Sequence, residues 1–398
     1  MLFTAHSGAT AMGFLASLVQ ANWMAPAEVG RFAFCLAIVM IGGLFFEFGV
    51  FSAGARVLAL SKDDQRERQV LGALVLMGLA IGGAFALFIA AAAVPIDLIF
   101  KKDVRGMLLA ASGFAFFQPL QWLVEQSCQG LNRVRRLSEF HLLRSAANLA
   151  TLFALAVSGR LTSTSALVAY LTGLGIAATW TLAYLRPRFS GTRQYMRLTL
   201  RDTRSYGLNT YLARITGAVS ARFDNLVIGY FAEFAPLGLY SIAQRLSAPI
   251  VTISRAVAVS RYRAFSNLNR VPARITRWNA AVLLLSAAAL VIGGPLVLKL
   301  AFPKYVDAAP LLIPLAIFGL FAGLFQPYNL FLASHGRGTE LRNTAGVVSV
   351  ASLAGLFLLV PRYGIAGAAW SGAMAMALDY LLHLYYYRQF RRTLTSES

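Results

Sequence analysis

The chain has 398 residues, 58% of them apolar and only 13% charged, with a mean hydropathy of +0.63. A water-soluble domain carries about 25% charged residues, so this composition excludes a soluble globular protein and places the chain in a membrane. The 36 Lys and Arg against 16 Asp and Glu give a formal charge of +20, a balance that in a soluble protein points to nucleic acid; here the basic residues gather between apolar stretches, and no nucleic acid is expected. Cys35 and Cys128 lie in apolar stretches and the four histidines are scattered, so no disulfide framework, metal site or cofactor is expected.

A membrane span needs about 20 mostly apolar residues, and that rule predicts twelve helices at 2–20, 32–55, 70–93, 107–129, 140–158, 163–185, 206–229, 237–259, 278–300, 309–331, 344–360 and 365–387. The first carries His6, Ser7 and Thr10 with no basic residue ahead of it, and reads as a retained span rather than a cleaved signal. The second contains Glu47 with Arg56 just beyond, and the fourth contains Pro119 and Glu125. After the sixth comes the longest connection, a basic stretch with Arg186, Arg188, Arg193, Arg197, Arg201 and Arg204. The expected organisation is therefore an all-α polytopic protein: a six-helix bundle at 1–185, a basic cytoplasmic linker at 186–205, and a second six-helix bundle with a short basic tail at 206–398.

Alternate loops differ sharply in charge. Loops 56–69, 130–144, 186–205, 260–277 and 332–343, with the tail 388–398, hold 24 of the 36 basic residues, whereas the opposite loops hold seven. The positive-inside rule then predicts that both termini are cytoplasmic, with the linker against anionic headgroups.

Shifting the chain by 208 residues lays Phe117-Gln118-Pro119 on Phe325-Gln326-Pro327, Gly30-Arg31-Phe32 on Gly238-Leu239-Tyr240, and Gly130 on Gly338. Three matches at one offset, each at the corresponding span of a six-plus-six layout, argue for an internal duplication. Transporters often carry their substrate path between such halves.

Ionisable residues inside spans are costly and mark cavities, pairs or pathways. The seventh span is the richest. Taken as one helix with Arg214 at 0°, it places Gly217, Ala218, Ala221 and Asn225 within about 60° and Arg222 and Asp224 near +80° and −80°, opposite an apolar face. The eighth span adds Gln244, Arg245 and Arg255. Arginine suits phosphate because its planar fork offers two parallel donors and stays charged, so Arg214, Arg222, Asp224, Asn225, Arg245 and Arg255 are the candidate cavity residues. Glu47, Glu125, Asp379 and His383 are candidates for ion coupling, the last two being one helical turn apart. No catalytic motif or nucleotide loop is present, so no enzyme is expected.

Three passages resemble the polysaccharide-transporter branch of the multidrug/oligosaccharidyl-lipid/polysaccharide flippase superfamily. They are Val29-Gly30-Arg31-Phe32-Ala33 leading to Glu47-Phe48-Gly49-Val50 and Arg56; Arg222-Phe223-Asp224-Asn225-Leu226-Val227-Ile228-Gly229 followed by Leu237-Gly238-Leu239-Tyr240-Ser241-Ile242-Ala243-Gln244-Arg245-Leu246; and Tyr363-Gly364-Ile365-Ala366-Gly367-Ala368-Ala369-Trp370. The resemblance covers essentially the whole chain. It implies a V-shaped pair of bundles with a cationic cavity, located in the bacterial inner membrane. Such a protein moves an undecaprenyl-pyrophosphate-linked oligosaccharide across the bilayer by alternating access, with a polysaccharide polymerase and glycosyltransferases as expected protein partners. Arg222, Asp224 and Arg245 match its charged positions. The rival reading is a cation-coupled multidrug or metabolite exporter of the same superfamily, which would favour a carboxylate-rich site.

Overall fold

The computed structural model describes residues 2–61, 63–208, 211, 215, 222–260, 268 and 270–396. Almost all are helical, and no β-strand occurs among them. The first half contains α1 (Leu2–Trp23), α2 (Pro26–Phe45), α3 (Val50–Ala59), α4 (Asp64–Phe100), α5 (Arg105–Ala115), α6 (Phe117–Gly130), α7 (Val134–Val157), α8 (Ser163–Leu185) and α9 (Thr192–Asp202). The second half contains α10 (Phe223–Phe231), α11 (Phe234–Ser260), α12 (Ala273–Ala301), α13 (Leu312–Leu324), α14 (Gln326–Ser334) and α15 (Gly338–Ser396), the last broken at Gly364 with φ 56° and ψ −136°. A 3₁₀ segment, Pro303–Leu311, leads into α13.

Among the described residues eight stretches are long and apolar enough to cross a membrane, and the last of them, Gly338–Arg392, covers both the eleventh and the twelfth predicted spans. Each of the twelve predicted spans overlaps described helix. Large apolar side chains point outward, with Leu87 74%, Ile292 80% and Leu300 74% exposed, an arrangement stable only where the solvent is hydrocarbon. The chain is an all-α polytopic membrane protein.

Two compact units form, one of Met1–Met24 and Arg31–Val219, the other of Ala25–Gly30 and Ser220–Ser398. The basic stretch 186–205 is not a free linker, because α9 and the turn before it are built into the first unit. The Arg188 N–H donates to the Arg68 carbonyl (2.8 Å), Gln69 Nε2 donates to Ser190 Oγ (3.0 Å), and the Tyr195 hydroxyl donates to Gln69 Oε1 (3.1 Å). Arg56 pairs with Asp202 at 3.3 Å.

The first unit packs α3, α4, α6, α7 and α8 around Phe51, Leu71, Leu74, Leu123, Val124, Phe140 and Leu174. Its helices start where polar side chains can satisfy the free N–H groups of the first turn. Asp63 accepts from the Arg66 N–H at the head of α4, and Thr162 and Ser165 form a reciprocal capping box at the head of α8.

Three spans expected as continuous helices are each two helices. The second breaks between α2 and α3, where Phe48 (φ 49°) and Gly49 (φ 75°) take left-handed backbone. Gly49 is needed there twice over, since a side-chain carbon would also lie 2.4 Å from the Gly207 carbonyl oxygen. The freed Phe45 carbonyl accepts from the Tyr211 hydroxyl at 2.7 Å. The fourth is interrupted at Phe116 and the tenth at Phe325, both of which keep right-handed helical backbone, so Pro119 and Pro327 follow an interruption in the middle of their spans, the third and second residues after it. At those positions proline's missing N–H takes no hydrogen bond from the helix.

In the second unit, Asn279 Nδ2 donates to the Gly323 carbonyl (3.1 Å), joining α12 to α13. The start of α2 packs against the start of α11 with reciprocal contacts. A Cβ on Gly30 would lie 1.8 Å from the Phe234 carbonyl oxygen, and one on Gly238 would lie 2.0 Å from that of Pro26. The 208-residue offset that pairs Gly30 with Gly238 also pairs Pro26 with Phe234, so the duplicated segments touch through equivalent residues. Overpacking of about 1–3 kcal/mol follows from adding a methyl at such a crossing. Gly238→Ala is therefore expected to lower the apparent melting temperature of the purified protein by several degrees, whereas Gly83→Ala, with nothing within 4 Å of the new carbon, leaves it unchanged or slightly raised in the same thermal-shift assay.

Candidate functional site

Of the residues singled out in the seventh and eighth spans, Arg222, Asp224, Asn225, Gln244 and Arg245 lie near the start of the second unit. Arg222 precedes α10 with non-helical backbone (φ −130°, ψ −8°). The chain is thus not one helix through 206–229, and the wheel that set Arg214 beside Arg222 and Asp224 does not apply across this point. Asp224, in the first turn of α10, sits where the helix dipole favours a negative charge.

Asp224 is buried and held by three donors. The Tyr240 hydroxyl donates to Oδ2 at 2.7 Å, Gln244 Nε2 donates to the same oxygen at 2.9 Å, and the Asn225 N–H donates to Oδ1 at 2.7 Å. Tyr240 and Gln244 are four residues apart on α11, and this spacing puts both on one face. A buried carboxylate is stable only with such partners. Asn225 is buried as well, and its Oδ1 has no hydrogen-bond partner among the described residues. Arg222 is exposed and lies within electrostatic range of both Asp224 and Arg245. Arg245, half-buried next to Gln244, also faces Tyr305, a fully buried residue of the 3₁₀ segment. Arg214 lies outside the described residues, and only the backbone of Arg255 is described, within α11.

The remaining candidates do not join this cluster. Glu47 is fully buried in the α2–α3 break of the first unit, where Ser52 Oγ donates to it at 3.4 Å. Glu125 on α6 accepts from Gln121 Nε2 at 2.8 Å. In α15 of the second unit, His383 Nδ1 lies 3.0 Å from Asp379 Oδ1, both residues are buried, and the imidazole stacks on Phe325 at the tenth-span break. No group of three or more His, Cys, Asp or Glu side chains that could hold a metal ion occurs among the described residues.

Two features escaped the sequence reading. Tyr240 and Tyr305 are ordinary aromatics in sequence, one inside a span and one in an expected outer loop, and only folding brings them to Asp224 and Arg245. In the first unit, a half-enclosed cavity of about 290 Å³ is lined by Thr10 of α1, by His141, Arg144, Ser145 and Asn148 of α7, and by Tyr170 of α8. Arg144 falls in both the expected loop 130–144 and the expected span 140–158, and α7, which begins at Val134, carries it within a helix long and apolar enough to cross a membrane. The legible signal was the i, i+3, i+4, i+7 spacing of the four α7 residues, which marks one helix face.

Residues 1–259 match the family described as "Polysaccharide biosynthesis protein". A curated relative from Haloferax volcanii, described as a probable low-salt glycan biosynthesis flippase, Agl15, is 23% identical across 98% of this chain and 82% of its own length. Among solved structures, the lipid II flippase MurJ in an inward closed conformation superposes with a TM-score of 0.78 at 13% identity, covering 97% of this chain and 87% of MurJ. A multidrug resistance MATE transporter in an inward-facing conformation gives 0.80 at 14% identity, covering 98% and 96%. Both solved structures share the fold.

The donor set around Asp224 predicts a stability effect separable from transport. Tyr240→Phe removes one of the three donors to a buried carboxylate, a loss on the order of 1–3 kcal/mol, and is expected to lower the apparent melting temperature measurably. Tyr363→Phe, at an exposed ring, is expected to leave it unchanged.

Proposed function

Because the chain belongs to the polysaccharide biosynthesis protein family, we propose that it is a flippase. Its cargo is a polyprenyl-pyrophosphate-linked oligosaccharide, which it carries from the cytoplasmic to the periplasmic leaflet of a bacterial inner membrane during synthesis of O-antigen, capsule or exopolysaccharide. The observation that carries the reading is the charge arrangement at the start of the second unit. There the carboxylate of Asp224 is engaged by three donors, and Arg222 lies within electrostatic range of both Asp224 and Arg245.

Two arginines held near each other repel unless an anion joins them. A pyrophosphate supplies the charge and the acceptor oxygens that two guanidinium forks can share. The sugar headgroup needs a hydrated path while the prenyl tail remains in the bilayer, so the protein moves its cargo without making or breaking a covalent bond. On this reading both termini are cytoplasmic, the two halves give alternating access, and a polymerase and glycosyltransferases act before and after the transport step. Glu47, Glu125, Asp379 and His383 are the residues through which an ion gradient would be coupled.

The test is deletion of the gene and complementation with wild type, Arg222→Ala or Arg245→Ala at matched protein abundance. Lipid-linked oligosaccharide is expected to accumulate in membranes while surface polymer falls. Wild type restores both, and the arginine variants are expected to restore less than about a tenth of surface polymer, the loss of one charge-assisted contact to phosphate. Unchanged polymer and intermediate, with reduced resistance to a cationic drug, would replace this reading with that of a multidrug or metabolite exporter.

A further inference from the structure

The cavity in the first unit is chemically unlike the hydrocarbon-facing surface around it. His141, Arg144, Ser145 and Asn148 project from one face of α7, opposite Thr10 and Tyr170, and the remaining lining is Ala9 and Gly13. Every one of these residues is seven or more positions from both ends of its helix, which at 1.5 Å per residue is at least about 10 Å along the helix axis. The helices lie close enough to enclose the space because α8 has glycine at 173, where a side-chain carbon would meet the Asn148 backbone nitrogen at 3.0 Å and the Arg144 carbonyl oxygen at 3.3 Å.

A guanidinium that far inside a spanning helix is expensive without compensation. No Asp or Glu lines the cavity, and no carboxylate pairs with Arg144 among the described residues. The Oδ1 of Asn148 is an acceptor buried without a hydrogen-bond partner among the described residues, which a water or a phosphate hydroxyl can satisfy. At roughly 30 Å³ per water the space holds on the order of ten waters, room for a phosphate group with part of its hydration. The lining brings a guanidinium fork, which only donates, together with a serine hydroxyl, a phenol and an amide that can each donate as well as accept. Such a set favours an anion rich in acceptors over a cation.

We propose that this cavity is a binding site for the phosphate of a lipid headgroup, with Arg144 as its charged anchor and Asn148, Ser145 and Tyr170 as orienting contacts. It belongs to the first unit and is separate from the Arg222, Asp224 and Arg245 cluster of the second. It requires only that the chain meets phosphate-bearing lipids in its membrane. The same chemistry is offered by a polyprenyl phosphate and by a bulk anionic phospholipid, so the two are the arms of the experiment.

The full chain is purified in detergent, and binding of undecaprenyl phosphate and of phosphatidylglycerol is measured by native mass spectrometry, separately and in competition. Arg144→Gln is expected to weaken binding about tenfold, the loss of a charge-assisted contact, and Arg144→Lys to recover most of it. The exposed Arg160→Gln is expected to bind as wild type. If Arg144→Gln does not yield folded protein, Asn148→Leu, which fills the cavity with an apolar group and keeps the charge, is expected to show the same weakening. Competition by phosphatidylglycerol at equal concentration identifies a general phospholipid site, and failure to compete identifies a site for the prenyl carrier. Binding of both lipids unchanged in folded Arg144→Gln and Asn148→Leu overturns the proposal. Because this readout is equilibrium binding, it stands or falls independently of the gene-deletion result that tests transport.

Discussion

Inside a bilayer no water is available to satisfy a backbone or side-chain polar group, so each interruption of a helix and each buried charge must find its partner within the protein. The organisation of this chain follows from that constraint. Where α2 ends, the Tyr211 hydroxyl takes up the Phe45 carbonyl, and Ser52 turns to Glu47 in the gap. Where α10 begins, the first-turn carboxylate of Asp224 collects a backbone N–H, a phenol and an amide. These are not incidental polar contacts: without them neither the break nor the charge would be stable at membrane depth, so they fix where polar chemistry can occur.

The same constraint explains why the broken helices come at corresponding places. Phe117-Gln118-Pro119 and Phe325-Gln326-Pro327 each lie where the helical hydrogen bonding is interrupted, and proline contributes to that interruption because it has no N–H to return to the preceding turn. With proline at equivalent positions of a duplicated sequence, the interruption falls at equivalent places in the fourth helix of each half. The reciprocal approach of Gly30 and Gly238 is a second trace of duplication, and it tolerates no side chain because each faces the other segment's backbone.

Much of this was legible in the sequence, for reasons that differ by residue. Spans are legible because hydropathy is a property of composition over about 20 residues, and each predicted span overlaps described helix. Buried charges such as Asp224 and Asp379 are legible because they violate that composition. Helix breaks are less so: Glu47-Phe48-Gly49 lies in an apolar run with no proline, and only the left-handed backbone at Phe48 and Gly49 reveals the interruption. Register across a break is illegible for the same reason, which is why a single wheel over the seventh span does not carry past the non-helical backbone at Arg222. Arg144 was hidden differently, since a basic residue near a span's edge supports topology and binding equally well until the start of α7 is known.

What distinguishes the anion reading from the exporter reading is the state of the carboxylates, not the number of arginines. An organic cation needs an acidic group whose oxygens remain available to it. Asp224 already accepts three hydrogen bonds, Glu125 is engaged by Gln121, Glu47 is enclosed with Ser52, and Asp379 is held against His383. By contrast, Arg222 is exposed and Arg144 faces an open cavity without an acidic lining residue. These carboxylates are engaged internally while Arg222 and Arg144 face open space, and a guanidinium at membrane depth is stabilised by a ligand that brings its own negative charge. That asymmetry is present in each of the two units taken separately, so neither proposed anion site depends on how the units are arranged.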